Sequence, residues 1–270
     1  MSFDELSYDL SVVIFENKGE LRRIMNKLNV KISVGFAIIW ILTYVVGSSL
    51  ADYISDTVGY PKLFTAVFHV LFVVAIIIYL IKNRLTTQLG LCLPKASPAK
   101  FLYYVPLLVI MSCNLWTGLE VNEGVGYSVF YVISMLCVGF AEEMIFRGFL
   151  FRAMAENNVK SAVIVSALTF GIGHLINLFN GSGMNLISNL CQVVYAVAFG
   201  FLCITIYYRS GSLLPCIIAH STVNAMSVFA CQPKTVWVDI VTGAILAVLS
   251  ILYCLILNRT LSDNNKQKEE

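Results

Sequence analysis

Residues 63–81, LFTAVFHVLFVVAIIIYLI, form an apolar run that contains no Asp, Glu, Lys or Arg. A transmembrane α-helix needs about 20 consecutive, mostly apolar residues, because the hydrocarbon core of a bilayer is about 30 Å thick. A strand of a membrane barrel would be shorter and would alternate apolar with polar residues. The run therefore predicts a helix that spans a membrane.

Similar runs occupy most of the chain. Of its 270 residues, 58% are hydrophobic and 13% are charged, whereas soluble domains are about 45–50% apolar and about 25% charged. We therefore predict an all-α fold, a polytopic membrane bundle of about eight transmembrane helices. The predicted spans are 32–51, 63–81, 101–119, 124–155, 160–179, 185–208, 213–232 and 236–257.

Lysine and arginine are concentrated in alternate connections between these runs. Cytoplasmic loops of membrane proteins carry an excess of these residues, so the distribution predicts that both termini are cytoplasmic. We expect four segments, of which the first contains an amphipathic stretch at 10–28. They are a cytoplasmic segment (1–31), three flanking spans (32–119), a membrane core that carries the polar residues (120–258) and a cytoplasmic tail (259–270).

Charge and cysteine content exclude other classes of protein. The net charge of +2 is too small to favour a nucleic-acid partner. Most of the eight cysteines lie inside apolar runs, and no CxxC pair occurs. This pattern predicts small buried hydrophobic side chains rather than a disulfide framework or a cysteine metal site.

Two adjacent glutamates interrupt the run 124–155. A charge in the hydrocarbon region costs about 2.5–3.5 kcal/mol on insertion scales, so it needs a partner or a function. Glu143 and Arg147 are four residues apart on one helix face, which predicts a supporting ion pair. Glu142 points about 100° away and has no partner in its own helix. The spacing leaves Glu142 as a candidate general base.

Two further pairs carry polar groups at helical spacing. Phe170 and His174 are four residues apart, as are His220 and Asn224, so each pair shares a helix face. Gly171 and Gly173 are expected to leave room for close helix packing.

The depths of these groups can be compared along the helices. If the chain turns near 157–159, Glu142 and His174 each lie 16 residues from position 158, and two antiparallel helices bring them to similar depth. His220 lies only about 12 Å along a helix from the connection at 209–212, which is a poorer match. Either its helix is displaced or a cavity reaches it.

Glu142, His174, His220 and Asn224 together form a set that can activate water. Glu142 would take the proton, Asn224 would orient the water or the carbonyl, and the histidines would bind a metal or donate hydrogen bonds to the oxyanion. A catalytic zinc normally has three protein ligands, which His174, His220 and Glu142 would supply. The alternative is a polar clamp that holds helices together.

These segments resemble the signature of the CPBP family, which contains the CAAX proteases and bacteriocin-processing enzymes and is also called the Abi family. The family motifs read EExxxR, FxxxH and HxxxN. The chain has, in the same order, Glu142-Glu143…Arg147, Phe170…His174 and His220…Asn224. The resemblance covers residues 124–232.

The resemblance implies an intramembrane endopeptidase related to the type II CAAX prenyl protease. It implies Glu142 as the catalytic base and a peptide or protein substrate that is membrane-anchored or prenylated. Because the family is described both as metalloproteases and as glutamate-dependent proteases, a divalent metal such as zinc is one of two expectations. The other residues of the implied site are His174, His220 and Asn224, with Glu143, Arg147 and Phe170 in supporting roles.

Two other functions stay open on the sequence. A non-catalytic bacteriocin immunity or peptide-binding membrane protein would use the same polar cavity without hydrolysis. A proton- or ion-coupled transporter also uses intramembrane Glu and His, but inverted repeats, which would favour it, are not visible in the sequence. The cytoplasmic termini and short loops favour the plasma membrane of a prokaryote.

Overall fold

The computed structural model describes residues 31–121, 123–179, 183–231 and 235–266. In these ranges the chain is helical apart from its connections and contains no β-strand. An isolated β-bridge pairs Leu119 with Ala230. The prediction of an all-α membrane fold is confirmed. The amphipathic stretch predicted at 10–28 lies outside the described residues.

The helices follow the predicted apolar runs closely. A π-helix at Met144–Phe151 joins the α-helices Val125–Glu143 and Arg152–Ala155. Short 3-10 segments occur at Pro98–Tyr104, Cys113–Leu115, His174–Leu178 and Ser227–Phe229. The α-helices are α1 (Val34–Val58), α2 (Leu63–Lys82), α3 (Val105–Met111), α4 (Val125–Glu143), α5 (Arg152–Ala155), α6 (Val159–Gly173), α7 (Leu186–Ser210), α8 (Leu214–Met226) and α9 (Val236–Lys266).

Seven helical segments within the described residues are long and apolar enough to cross a membrane. The predicted count of about eight is therefore one higher than the count found there. The difference is the predicted span 213–232, which folds as the shorter apolar segment Leu214–Phe229. Because an apolar run can also be a helix buried in a core, composition alone does not separate the two cases.

The start of α8 lies inside the protein. Ser210 and Leu213, on either side of the preceding turn, are buried. The backbone N–H of Lys95 donates to the Ser210 carbonyl (3.0 Å), and that of Leu213 donates to the Gly90 carbonyl (2.8 Å). These hydrogen bonds attach the turn to the connection at 90–95, inside the protein, which favours the predicted alternative of a displaced helix.

Helices α4 and α8 approach each other through Gly139 and Ser221. A Cβ at Gly139 would lie 2.3 Å from the Ser221 Oγ and 2.5 Å from its backbone nitrogen, so the approach requires glycine. The Ser221 hydroxyl donates to the Leu136 carbonyl at 3.0 Å. Because His220 precedes Ser221, this contact sets the histidine against the end of α4.

Helices α6 and α7 meet at one of the two glycines expected to permit close packing. A Cβ at Gly171 would lie 2.3 Å from the Val197 Cγ2 and 2.9 Å from its backbone nitrogen. A Cβ at Gly173 would meet no described atom within 4 Å. The packing prediction is correct for Gly171 and wrong for Gly173, which ends α6 beyond the contact.

Candidate active site

The π-helix begins directly after the two glutamates. All of its residues, Met144–Phe151, are buried. The hydroxyl of Ser166 on α6 donates to the Phe146 carbonyl at 2.7 Å and ties the π-helix to its neighbour. Insertions of π-helical geometry are rare and frequently lie at functional sites, because they change which face a side chain points to.

Glu143 is fully buried, and its Oε1 atom serves two partners. Nη1 of Arg147 lies 3.1 Å away, so the predicted ion pair is present. Nδ1 of His220 also lies 3.1 Å away, a contact that the spacing does not predict. Because an ionised carboxylate only accepts hydrogen bonds, this pattern assigns the hydrogen of His220 to Nδ1.

Phe170 lies at the centre of the three motifs. The Arg147 guanidinium carbon is 4.1 Å from the centroid of its ring, a cation–π contact. The rings of His174 and His220 both pack edge-to-face with Phe170, at centroid distances of 5.1 and 5.5 Å. The supporting role expected for Phe170 is therefore a spacer between the two histidines that also covers the buried arginine.

Glu142 has partners on two other helices. The Tyr44 hydroxyl on α1 donates to its Oε1 at 2.7 Å. Its Oε2 lies 3.6 Å from Nε2 of His220, and the side chain is 14% exposed. As the spacing predicts, Glu142 has no partner in its own helix, and both of its partners lie on other helices. No sequence signal marks Tyr44, which lies in an ordinary apolar run.

His174 is the first residue after α6. Its Nδ1 lies 3.0 Å from the Phe170 carbonyl, which can only accept, so Nδ1 carries the hydrogen and Nε2 has the lone pair. The Asn189 amide donates to the His174 carbonyl at 2.8 Å and holds the backbone in place. This tautomer leaves Nε2 available to accept a hydrogen bond or to bind a metal.

A cavity of about 50 Å³ is lined by residues of α3, α6, α7, α8 and α9. His174, His220 and Asn224 contribute to its wall, together with apolar side chains that include Phe199. The Asn224 carboxamide makes no hydrogen bond within the described part of the chain, so it can serve a ligand. Glu142 is not part of this wall and reaches the cavity through His220.

The predicted metal ligands fit an ion only in part. The 3.6 Å between Glu142 Oε2 and His220 Nε2 suits two neighbouring ligands that each lie about 2.0–2.2 Å from a tetrahedral zinc. Among the described residues, the group of three whose donor atoms all lie within 4.8 Å of one another is a different one, Glu143, Cys203 and Cys216.

The cysteine-containing group is a poor metal site. The Cys216 thiol donates to the Cys203 carbonyl at 3.4 Å, which indicates a protonated thiol. The Arg147 guanidinium already neutralises Glu143 and would repel a dication. Both cysteines are buried, in keeping with the prediction that the cysteines act as small hydrophobic side chains.

Comparison with known proteins identifies the segment that holds these residues. Residues 124–226 match the family model described as type II CAAX prenyl endopeptidase Rce1-like. The match extends from the start of α4 to the end of α8 and contains all three motifs. Neither a curated protein nor a solved structure matches the chain.

Proposed function

We propose that Glu142 activates water to hydrolyse a peptide bond within the membrane. The premise is the match of residues 124–226 to the family model described as type II CAAX prenyl endopeptidase Rce1-like, which is consistent with the CPBP family. The observation that carries the proposal is the approach of Glu142 Oε2 to His220 Nε2, at 3.6 Å, beside a largely apolar cavity whose few polar wall residues include His174 and Asn224. A carboxylate inside the membrane is energetically costly, so such a residue is by default a candidate for a functional site.

The proposed roles follow from the orientation of each group. Glu142 takes a proton as the water oxygen attacks the carbonyl carbon, and it returns that proton to the leaving amine. Asn224, whose carboxamide faces the cavity, donates to the oxyanion. His174 and His220 present their Nε2 lone pairs and accept hydrogen bonds from the water.

A metal would be held by Glu142 and His220. His174, the third predicted ligand, has no donor atom within 4.8 Å of those of both other residues, so it would have to move to complete the site. When bound, a divalent ion such as zinc would polarise the carbonyl and lower the pKa of the attacking water. Chelation of the purified protein tests this part alone. Activity that is lost with a chelator and restored by zinc supports the metal, whereas unchanged activity supports catalysis by the glutamate without it.

The proposed substrate is a peptide or protein segment presented at the membrane, and a prenylated C-terminal peptide is one member of that class. The cavity of about 50 Å³ has room for a few water molecules. We place the protein in the plasma membrane of a prokaryote.

The test compares membranes that contain equal amounts of the wild type, Glu142→Gln or Glu156→Gln. Glu156 is an exposed glutamate just after α5 and serves as the matched control. New peptide termini that appear with the wild type and with Glu156→Gln, but not with Glu142→Gln, establish the protease and its substrate class. Identical termini in all three would reject hydrolysis that depends on Glu142 and would favour immunity or peptide binding.

A further inference from the structure

We propose that Tyr44 is a positioning residue of the active site, whose hydroxyl holds one oxygen of Glu142 so that the other faces His220. The inference rests on the proposed function of Glu142. Tyr44 lies on α1, outside residues 124–226, so the family match does not include it. On this view α1 completes the site rather than merely flanking it.

The contact itself is strong. The Tyr44 hydroxyl donates to Glu142 Oε1 at 2.7 Å, the usual length of an O–H···O hydrogen bond. Both residues are partly buried, and the low local dielectric strengthens the bond. With Oε1 held in this way, Oε2 is the atom that lies 3.6 Å from His220 Nε2.

Tyr44 is in turn held by residues of α2. Its ring stacks on His69 and packs against Phe72, with both centroid distances at 5.8 Å. The His69 ring is fixed through both nitrogens, by the hydroxyl of Ser48 on α1 (2.9 Å) and that of Ser134 on α4 (2.8 Å). These two hydrogen bonds fix the His69 ring beneath the tyrosine.

Loss of the hydroxyl would release the carboxylate without removing it. The terminal torsion of a glutamate is broad, so an unheld carboxylate samples orientations in which neither oxygen faces His220. Tyr44 is not part of the cavity wall. We therefore expect the turnover number to change while substrate binding does not.

The first experiment measures kcat and KM for Tyr44→Phe, with Tyr53→Phe as the matched control. Tyr53 lies on the same helix and is 68% exposed. The expected result for Tyr44→Phe is a kcat at least about tenfold lower with KM within about twofold of the wild type, consistent with loss of a hydrogen bond to a charged group. Wild-type kcat in Tyr44→Phe, or a raised KM alone, would overturn the proposal.

The second experiment does not depend on activity. The melting temperature in detergent is measured for Tyr44→Phe, Glu142→Ala and the double variant. A smaller effect of Tyr44→Phe in the Glu142→Ala background supports the contact, whereas additive effects overturn it. Coupled melting temperatures in a protein that cleaves nothing would overturn the positioning role together with the proposed function, and would leave the contact standing.

Discussion

Nδ1 of His220 lies 3.1 Å from Oε1 of Glu143. The glutamate that spacing assigns to an ion pair with Arg147 therefore also orients a histidine on another helix. A carboxylate on one ring nitrogen fixes the tautomer and directs the other nitrogen, an arrangement that commonly supports metal ligands and catalytic histidines. Glu143 thus pairs with the buried Arg147 and also orients the His220 ring, so that Nε2 of His220 faces Glu142.

The first prediction concerns this buried pair. Arg147 is fully buried. Removal of its side chain leaves the buried negative charge of Glu143 without a positive partner. We expect Arg147→Met to lower the free energy of unfolding by about 3–5 kcal/mol. The measurement is denaturant unfolding in detergent micelles.

The double variant Glu143→Gln with Arg147→Met separates charge from orientation. We expect it to recover most of the lost stability, because no buried charge remains. Its kcat should stay low, since a neutral amide holds the His220 Nδ1–H more weakly than a carboxylate does. A double variant as unstable as Arg147→Met, or one with wild-type kcat, would contradict this reading.

The second prediction tests the close approach of α4 to α8. Gly139→Ala places a Cβ within 2.6 Å of three atoms of Ser221, two of them backbone atoms, so the helices must move apart. We expect a loss of about 1–3 kcal/mol in the free energy of unfolding and a clear loss of activity, because His220 moves with Ser221. Unfolding and peptide cleavage are measured on the same preparation.

Gly126→Ala is the matched control for this change. Gly126 also lies on α4, but a Cβ there would meet no described atom within 4 Å. We expect wild-type cleavage and no loss of stability, since alanine is the better helix former. If the two alanine variants behaved alike, helix propensity rather than the contact with Ser221 would explain the result.

The polar groups of the candidate site could be predicted from the sequence for a physical reason. Groups such as Glu142 and His220 are costly at membrane depth, and a spacing of four residues places each motif pair on one helix face. The contact between Glu143 and His220 could not be predicted from the sequence. It depends on the register of α4 against α8, which Gly139 and Ser221 set by close packing.

Tyr44 and the length of α8 were missed for different reasons. Tyr44 is 98 residues from Glu142, and a tyrosine in an apolar run carries no local mark of a long-range partner. The run 213–232 has the composition of a full span, but α8 ends at Met226 and continues as a 3-10 turn. The Ser227 hydroxyl donates to the Asn224 carbonyl at 2.7 Å near that end, and composition does not encode such a stop.

The third prediction concerns the attachment of the π-helix. Ser166 is fully buried, and its hydroxyl donates to the Phe146 carbonyl at 2.7 Å. We expect Ser166→Ala to lower the free energy of unfolding by about 1 kcal/mol, because a buried acceptor loses a partner. Thr169→Val is the control, since the Thr169 hydroxyl bonds within its own helix at an exposed position. Equal losses of stability in the two variants would show that the hydrogen bond from Ser166 to the π-helix contributes no more than a bond within one helix.

The fourth prediction assigns catalysis rather than stability to Asn224. Its carboxamide lines the cavity and makes no hydrogen bond within the described part of the chain, so Asn224→Ala removes no internal contact of that group. We expect the melting temperature to change by little and kcat to fall by about 100-fold, the usual effect of removing one oxyanion donor. Kinetics and thermal unfolding on one sample distinguish this from a structural role, in which the two quantities would fall together. Because the amide acts only when a tetrahedral intermediate forms, KM should change much less than kcat, and a loss confined to KM would assign Asn224 to substrate binding instead.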